Sequence, residues 1–371
     1  MFRVNMKSLN IKEVRPMSGN KAISLLVLSS LLLLFLAPNS YAVKSRAGTA
    51  TANFLEIGMG SAGSGMGDAY VSLTDDISSI YWNPAGLGYM DRSEAQFTIQ
   101  PWLVDINTSF VGVGLVLPRV GTLAMALTTV GYGEMPVTNL AFQEGTGEMF
   151  TASEYAAALS YSRRLAQWFS FGASFKYVAS QIWHTNANAI AVDLGVKLNT
   201  HFFSPTGEKA DGMTIGMSIS NYGTRMKYDG LDLLNPIDLL PDEQGNYQFS
   251  NGKFETVEWE LPLIFRVGIA VHPIVIGGNR LTLAVDALHP NNNTESVNVG
   301  AQYQLKVPAF GSLYLRGGYK GLFMEDSYYG PTFGGGVFLN LMGNVGLRLD
   351  YAYKNVGLLG NFHTYTCGIT F

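Results

Sequence analysis

The sequence predicts an all-β fold: an antiparallel outer-membrane β-barrel of about fourteen strands with an N-terminal hatch, or plug, in its lumen. Three observations predict it: an export signal, a glycine-rich stretch from Gly58 to Gly88, and two-residue alternation of apolar and polar side chains from about Glu94 to Phe371. We therefore divide the chain into a signal peptide (residues 1–42), a hatch segment (43–90) and a transmembrane β-barrel (91–371).

The composition supports a membrane protein. Charged residues make up 14% of the chain, well below the usual quarter, while aromatic residues reach 12%, glycines number 42 and the mean hydropathy is +0.14. The net charge is -4, and no basic stripe is interleaved with aromatic residues. We therefore expect no nucleic-acid partner.

The N-terminal region has the three parts of a secretory signal. Lys21 supplies positive charge, Ile23 to Leu36 form an apolar run too short to span a bilayer comfortably, and Ser40-Tyr41-Ala42 is a small-x-small cleavage site. The mature protein is then expected to begin near Val43. A start at Met17, rather than at the first methionine, would give a leader of conventional length.

The segment that follows is too rich in glycine for a long helix or an ordinary strand. Gly58, Gly60 and Gly63 match the spacing of a dinucleotide fingerprint. No apolar strand precedes them and no alternating strands and helices follow, so we expect no nucleotide cofactor. The glycines are instead expected to let the segment coil tightly inside a narrow lumen.

Two further pairs of residues punctuate this segment. Asp75 and Asp76 precede apolar residues at helical spacing, so we expect one carboxylate to cap a short helix, worth about 1 kcal/mol, rather than to act in acid and base chemistry. Asn83 before Pro84 predicts a second cap, with proline at the first helical position.

The rest of the chain alternates. In Val297–Leu305 every second residue is apolar and the residues between are Asn, Gly and Gln; Val345–Tyr353, Leu263–Val271 and Ile190–Leu198 repeat the pattern. Strands of a membrane barrel alternate lipid-facing and lumen-facing residues in this way, and the closed sheet leaves no backbone group unpaired. The pattern predicts strands near Glu94–Trp102, Asn107–Leu117, Gly121–Gly131, Tyr155–Arg164, Phe169–Gln181, Ala189–Leu198, Thr214–Ser220, Leu261–Val271, Arg280–Leu288, Ser296–Leu305, Gly311–Lys320, Phe333–Leu339, Val345–Tyr353 and Phe362–Phe371.

Loop lengths agree with this count. Single-chain barrels have an even number of strands, short periplasmic turns and longer outer loops. Long connections are predicted at Tyr132–Ser153, Asn221–Glu260 and Gly321–Thr332, with tight turns between them. Asn199–Gly212 is too long for a short turn, which makes that boundary an exception.

No constellation for catalysis or metal binding is present. Ser61 and Ser64 lack the glycine spacing of a hydrolase elbow, and the lone Cys367 is predicted to face lipid without a histidine beside it. With no cysteine at the cleavage site, neither a lipoprotein anchor nor a disulfide framework is expected. The histidines have no ligand-type spacing: His184, His201, His272, His289 and His363. We expect no enzyme activity, metal or cofactor.

Eight charged residues are predicted to project into the lumen by parity: Lys176, Asp193, Lys197, Arg266, Asp286, Arg316, Arg348 and Asp350. The ordinary interpretation is a solvated, mutually paired interior. The alternative hypothesis is that some of these cations hold Asp68, Asp75 or Asp76 and so fix the hatch.

Two features bear on partners. The outer loop from Leu231 to Leu240 is apolar for an exposed segment, so it is either a lid that packs on itself or a docking patch for a hydrophobic ligand or a protein. On the last strand, Tyr365, Ile369 and the terminal Phe371 share the lipid-facing side with Cys367. A terminal aromatic of this kind resembles the signal read by the barrel-assembly machinery, and outer-membrane lipid is the other expected partner.

The run from Gly65 to Asp76, GMGDAYVSLTDD, followed by IYWNPAGL from Ile80 to Leu87, resembles the N-terminal segment of the PorV/PorQ family, a branch of FadL-type outer-membrane barrels. The matching positions form the hatch motif: Gly65, Gly67, Asp68, Asp75, Asp76, Asn83, Pro84 and Gly86. The resemblance implies a fourteen-stranded barrel with a lumenal hatch. It also implies a component of type IX secretion that handles secreted proteins or, alternatively, a passive transporter of fatty acids and other hydrophobic small molecules.

Overall fold

The structure is a computed structural model, and it describes residues 46–102, 106–243, 250–325, 327–341 and 344–371. The predicted signal peptide, its cleavage site and Val43 lie outside these residues. No helix among the described residues is long and apolar enough to cross a membrane.

Fourteen antiparallel strands form one closed sheet. Each strand pairs with its neighbours along the chain, and the first strand pairs with the last, so the sheet closes on itself. A short strand, β8 (Asp229–Gly230), adds to β6, and β9 (Leu234–Ile237) pairs with β10 (Ser250–Lys253) in a separate hairpin. The barrel strands are β1 Glu94–Pro101, β2 Asn107–Leu117, β3 Gly121–Pro136, β4 Met149–Ala166, β5 Phe169–Ile182, β6 Thr185–Asn199, β7 Thr214–Gly223, β11 Ile264–Ile276, β12 Asn279–Pro290, β13 Ser296–Val307, β14 Gly311–Leu322, β15 Pro331–Asn340, β16 Gly346–Asn355 and β17 Asn361–Thr370.

The predicted strand count is confirmed, and the predicted ends differ most on the outer side. The third strand was predicted to stop at Gly131, but β3 continues to Pro136 through a register shift between Gly131 and Glu134. Its partner β4 correspondingly begins at Met149. Beyond Gly131 backbone pairing continues while the alternation of side chains fades, and so the pattern alone ended these strands too early.

The two faces of the wall follow the predicted parity. On β6, Ile190, Val192 and Leu194 are exposed, whereas Asp193 and Lys197, which have the opposite parity, are buried. The connection predicted to be too long for a short turn, Asn199–Gly212, is indeed long. Fourteen residues separate β6 from β7, and they include a short 3-10 turn at Lys209–Asp211.

The residues before β1 form a segment of short turns, which we call the N-terminal segment (residues 46–93). Its apolar side chains pack on inward-facing residues of the barrel: Met59, Ile77, Ile80 and Leu87 form a buried cluster with Phe110 and Ala124 of β2 and β3. Its helical elements are the 3-10 turns Asn53–Glu56 and Pro84–Tyr89 and the short helices Ser61–Gly65 and Ser79–Trp82. Elsewhere, short 3-10 turns occur at Leu231–Leu233 and Gly357–Leu359.

Candidate functional site

The candidate site is the interface between the N-terminal segment and the inner wall. Asp68 is its most strongly paired residue: Lys354 Nζ lies 2.9 and 3.1 Å from the two carboxylate oxygens, and Lys320 Nζ lies 2.7 Å from Oδ2. All three side chains are largely buried. Burial by itself raises the pKa of Asp68, but the two ammonium groups outweigh burial and lower that pKa below its ordinary value.

The backbone at this point makes the close contact possible. Gly67 has φ +67° and Asp68 has φ +64°, both in the left-handed region. A side chain at Gly67 would place its Cβ 2.5 Å from the backbone nitrogen of Tyr319 on β14. Glycine at this position of the motif therefore lets the turn lie directly against the wall.

Asp76 pairs with Arg348 of β16, whose guanidinium also lies 3.7 Å from Glu94 of β1. The neighbouring Asp75 is accessible to solvent and has no hydrogen bond or ion pair within the described part of the chain; the surrounding protein nevertheless raises the pKa of its carboxyl by desolvation, with the charges of Lys197 and Arg348 opposing that shift. The two adjacent aspartates of the motif thus differ in their environment.

The prediction that Asp75 or Asp76 caps the next helix is wrong. That helix begins at Ser79, its N-cap residue is Ser78, and the cap has no side-chain hydrogen bond. Asp76 Oδ1 instead accepts the backbone N–H of Ser78 at 2.9 Å, so it fixes the turn before the helix. The opposite oxygen remains available to Arg348.

Asn83 has the predicted capping geometry and also joins the segment to the wall. Its Oδ1 accepts the N–H of Ala85 at 3.1 Å, and Pro84 is the first residue of the 3-10 turn. Its Nδ2 donates to the carbonyls of Val71 in the segment and Val196 on β6, both at 3.0 Å. One side chain therefore ends the short helix, begins the next turn and binds the barrel.

Inward-facing glycines of the wall give the segment room to approach. A Cβ on Gly216 of β7 would lie 2.7 Å from Ser72 Cα, one on Gly172 of β5 would lie 2.5 Å from Ala85 N, and one on Gly318 of β14 would lie 2.5 Å from Gly67 N. The sequence indicated only that lumen-facing positions are small. The backbone of the segment is what fills the space left by the missing side chains.

The predicted lumen charges do not act as a single set. Lys176 pairs with Asp193 at 2.5 Å, and Arg316 pairs with Asp350 at 2.5 Å, which fits a mutually paired interior. Two others bind backbone groups of the segment rather than its aspartates. Lys197 donates to the carbonyl of Thr74 at 2.6 Å, and Asp286 accepts the N–H of Val71 at 2.9 Å.

Arg266 contacts none of the three aspartates of the segment among the described residues. It donates to Ser220 at 2.9 Å and lies 5.4 Å from the ring centre of Tyr81. Burial raises the pKa of Tyr81 to about 12, with the charge of Arg266 opposing that shift. The ring is therefore neutral near pH 7 and faces a cation.

Two functional candidates were missed from the sequence, Lys320 and Lys354. The predicted strands ended at Lys320 and at Tyr353, which left both lysines at or beyond a boundary. Continuing the parity of Arg316 and of Arg348 along their strands would have placed both on the inner face. The signal was present, but the strand ends concealed it.

The described residues of the outer loop, 224–243 and 250–263, leave several apolar side chains exposed, which does not fit a self-packed lid. Leu231, Leu239 and Val257 are 67%, 63% and 68% exposed, and all four residues of β9 are exposed. At the other end of the barrel, Tyr365 and Ile369 face outward on β17. The strand ends at Thr370 rather than at Phe371, and Phe371 is exposed with its N–H donated to Ser93 O at 2.9 Å.

The described residues contain no group of three or more His, Cys, Asp or Glu that could hold a metal ion. Cys367 is a free thiol on the outward face. The chemistry of the candidate site is therefore that of ion pairs, amide hydrogen bonds and close backbone contact.

Solved structures with a similar fold are the toluene transporter TodX of Pseudomonas putida, the toluene transporter TbuX of Ralstonia pickettii and a FadL homologue of Pseudomonas aeruginosa. They share 10%, 10% and 11% sequence identity with this chain, with TM-scores of 0.52, 0.51 and 0.50; the matches cover 84% of this chain in each case and 97%, 97% and 98% of those chains. At this identity the likeness concerns the fold alone. No curated protein sequence matches closely enough to indicate a relative.

The closed fourteen-stranded sheet and these structural neighbours show a FadL-like fold. A family model described as type IX secretion system protein PorV matches residues 40–243, more than half of the chain. The fold and this family match together define the class: the protein is a bacterial outer-membrane β-barrel. The chain belongs to the PorV family.

Proposed function

We propose that this barrel serves protein export at the outer membrane, with the N-terminal segment acting as a hatch and the apolar outer loop contacting secreted proteins. Membership of a type IX secretion family supports the export role. The observation that carries the proposal is the loop between β7 and β11, because an exposed apolar patch on a part of a protein that faces water commonly marks an interaction site.

The loop has the size and chemistry of a protein contact. It is the longest connection in the barrel, and connections of this length belong to the outer side. Its basic residues are already engaged within the loop: Arg225 pairs with Glu260, Lys227 with Glu255 and Lys253 with Asp229. With those charges paired, the exposed leucines and Val257 are the groups that a partner would bury. Burial of apolar surface stabilises a complex by about 25 cal/mol per Å².

One part of the interior is tightly filled by the N-terminal segment, which supports the hatch role. The cavity between the N-terminal segment and strands β2 to β5, lined by Phe54, Phe110 and Lys176 among others, has a volume of about 20 Å³. That volume accommodates about one water molecule. Passive transport of fatty acids or aromatic compounds, the alternative function, requires the segment to move first.

Substitutions in the loop test the export role. In a strain lacking the chromosomal gene, we expect a variant with Leu231→Ser, Leu239→Ser and Val257→Ser to insert normally but to retain secreted proteins inside the cell. The matched control is Leu140→Ser with Phe142→Ser on another outer loop, where Leu140 is 98% exposed. An unchanged secretome together with impaired uptake of fatty acids or toluene would favour the transporter instead.

A deletion tests the hatch. Removing Gly58 to Gly88 is expected to leave a barrel that inserts and leaks small solutes, measured as conductance in planar bilayers. Failure to assemble would make the segment part of the folding core. Arg348→Ala should also raise conductance because it frees Asp76, whereas Arg266→Ala should raise it less, because among the described residues Arg266 reaches the segment only through the ring of Tyr81 and pairs with none of the motif's three aspartates.

A further inference from the structure

A groove of about 750 Å³ lies on the membrane-facing surface, across strands β13 to β17 and β1. We call it the outer groove. One row of outward residues that lines it crosses six strands in register: Tyr303, Leu315, Gly335, Tyr351, Tyr365 and Ile99. A second row, two residues along each strand, includes Leu313, Val337 and Leu349.

One position in the first row of the groove has no side chain. Gly335 stands opposite Leu315 on β14 and Tyr351 on β16. A Cβ at Gly335 would meet no atom closer than Tyr314 O at 3.9 Å, so the space outside it is open. The glycines already described on the inner wall are filled by the N-terminal segment, and this outward glycine is not.

The width of the groove limits what fits. Adjacent strands lie about 4.8 Å apart, so the backbones that carry Leu315 and Tyr351 are about 10 Å apart before their side chains are counted. An α-helix with its side chains is about 10–12 Å across, so a helix of another protein could lie over the groove but could not enter it between these two side chains. A single hydrocarbon chain is narrow enough to lie between these two side chains.

Two of the three tyrosine hydroxyls in the first row already have hydrogen-bond partners. Tyr351 Oη is 2.8 Å from His363 Nδ1, and Tyr303 Oη donates to Asn279 Oδ1 at 2.6 Å. Behind the wall, Asp350 is neutralised by Arg316. The groove therefore offers mainly rings and aliphatic groups, which is suited to an alkyl chain.

We propose that the outer groove binds one acyl chain of an outer-membrane lipid. The groove is continuous with the lipid-facing surface of a barrel that spans the outer membrane, so a membrane lipid is the source of hydrocarbon at this place. The inference is independent of the export role and of the hatch, because the groove lies on the other side of the wall from both.

The first test compares two substitutions in the full-length protein. Gly335→Leu places a side chain in the groove between Leu315 and Tyr351, and Ala173→Leu adds the same side chain to an outward position on β5, where Ala173 faces Tyr161 and Leu194 across the strands. Each protein is reconstituted in vesicles of phosphatidylethanolamine and phosphatidylglycerol, extracted in mild detergent and weighed by native mass spectrometry. Gel mobility without heating verifies folding.

We expect the wild type and Ala173→Leu to retain one phospholipid. The ratio of lipid-bound to lipid-free protein should fall at least about tenfold in Gly335→Leu, because each methylene lost from an apolar contact weakens binding severalfold. Equal retention in all three proteins, or none in the wild type, would overturn the proposal. Retention of free fatty acid or of a bound protein in place of phospholipid would also overturn it.

A second measurement needs no variant. Cys367 lines the groove and is the only cysteine of the chain. In delipidated wild-type protein, its reaction with N-ethylmaleimide should slow by about tenfold when phosphatidylethanolamine is added back, because the acyl chain covers the thiol. An unchanged reaction rate would contradict binding in the groove even if Gly335→Leu fails to fold.

Discussion

The inner wall holds the N-terminal segment differently on its two sides. Strands β14 and β16 contribute charged side chains, which pair with Asp68 and Asp76. Strands β4 to β7 contribute serine hydroxyls, carbonyls and glycines, such as Ser170, whose hydroxyl donates to Ala85 O at 2.8 Å.

Close backbone contact occurs on both sides, at Gly318 of β14 and at Gly216 of β7. Among the described residues, only the first side pairs cations with carboxylates of the segment; on the second side Lys197 donates to a carbonyl, that of Thr74. Substitutions that leave shape intact should therefore separate the two sides.

The largest effect is expected from Asp68→Asn. Asparagine tolerates the left-handed backbone at this position, so shape is kept, but Lys320 and Lys354 are left buried without a carboxylate. Breaking a buried ion pair in this way costs about 3–5 kcal/mol. Hydrogen exchange of the amides from Gly60 to Gly88 should then accelerate by a hundredfold or more, on the order of what that energy implies.

The pH dependence of the wild type serves as the control for that variant. Because the pKa of Asp68 is lowered on folding, its contribution is present above the ordinary aspartate pKa of about 3.9 and is lost as pH falls through the lower folded value. Slow exchange of the segment should therefore persist at pH 5. Exchange that accelerates already at pH 5 would contradict the assignment of Asp68 as the main ionic contact.

A smaller effect is expected on the other side from Gly216→Ala. Its added methyl would lie 2.7 Å from Ser72 Cα, and overpacking of this kind costs about 1–3 kcal/mol. The matched control is Gly131→Ala, because a Cβ there meets nothing within 4 Å. Faster exchange in the first variant and unchanged exchange in the second would show that contact with the wall, rather than loss of a glycine, loosens the segment.

Much of the fold could be predicted from the sequence because each strand carries its own parity. The bounds of β2 match the prediction at both ends, and the alternation on β6 gives the buried Asp193 and Lys197 directly. Membrane strands expose one face to hydrocarbon and the other to a packed interior, so a local pattern contains the information.

The pairing across the interface could not be predicted in the same way. Which lysine meets Asp68 depends on the register of strands more than 250 residues away in the chain, and a shift of two residues would bring another inward side chain to that place. The hypothesis that inward-facing cations hold the aspartates of the segment is correct for Arg348, which pairs with Asp76. It included Arg266 only because that side chain also faces inward. The glycine contacts were hidden because a missing side chain does not say what fills its space.

The smallest effect is expected from Asp75→Asn, compared with Asp76→Asn. The two aspartates are adjacent in the motif, but only Asp76 pairs with Arg348, while the Asp75 carboxylate is exposed. Exposed substitutions of this kind usually change stability by less than about 0.5 kcal/mol. We therefore expect exchange of the segment to be unchanged in Asp75→Asn and clearly faster in Asp76→Asn. Equal acceleration in both would mean that the summed negative charge near Arg348, rather than the specific ion pair, holds the charged side of the interface together.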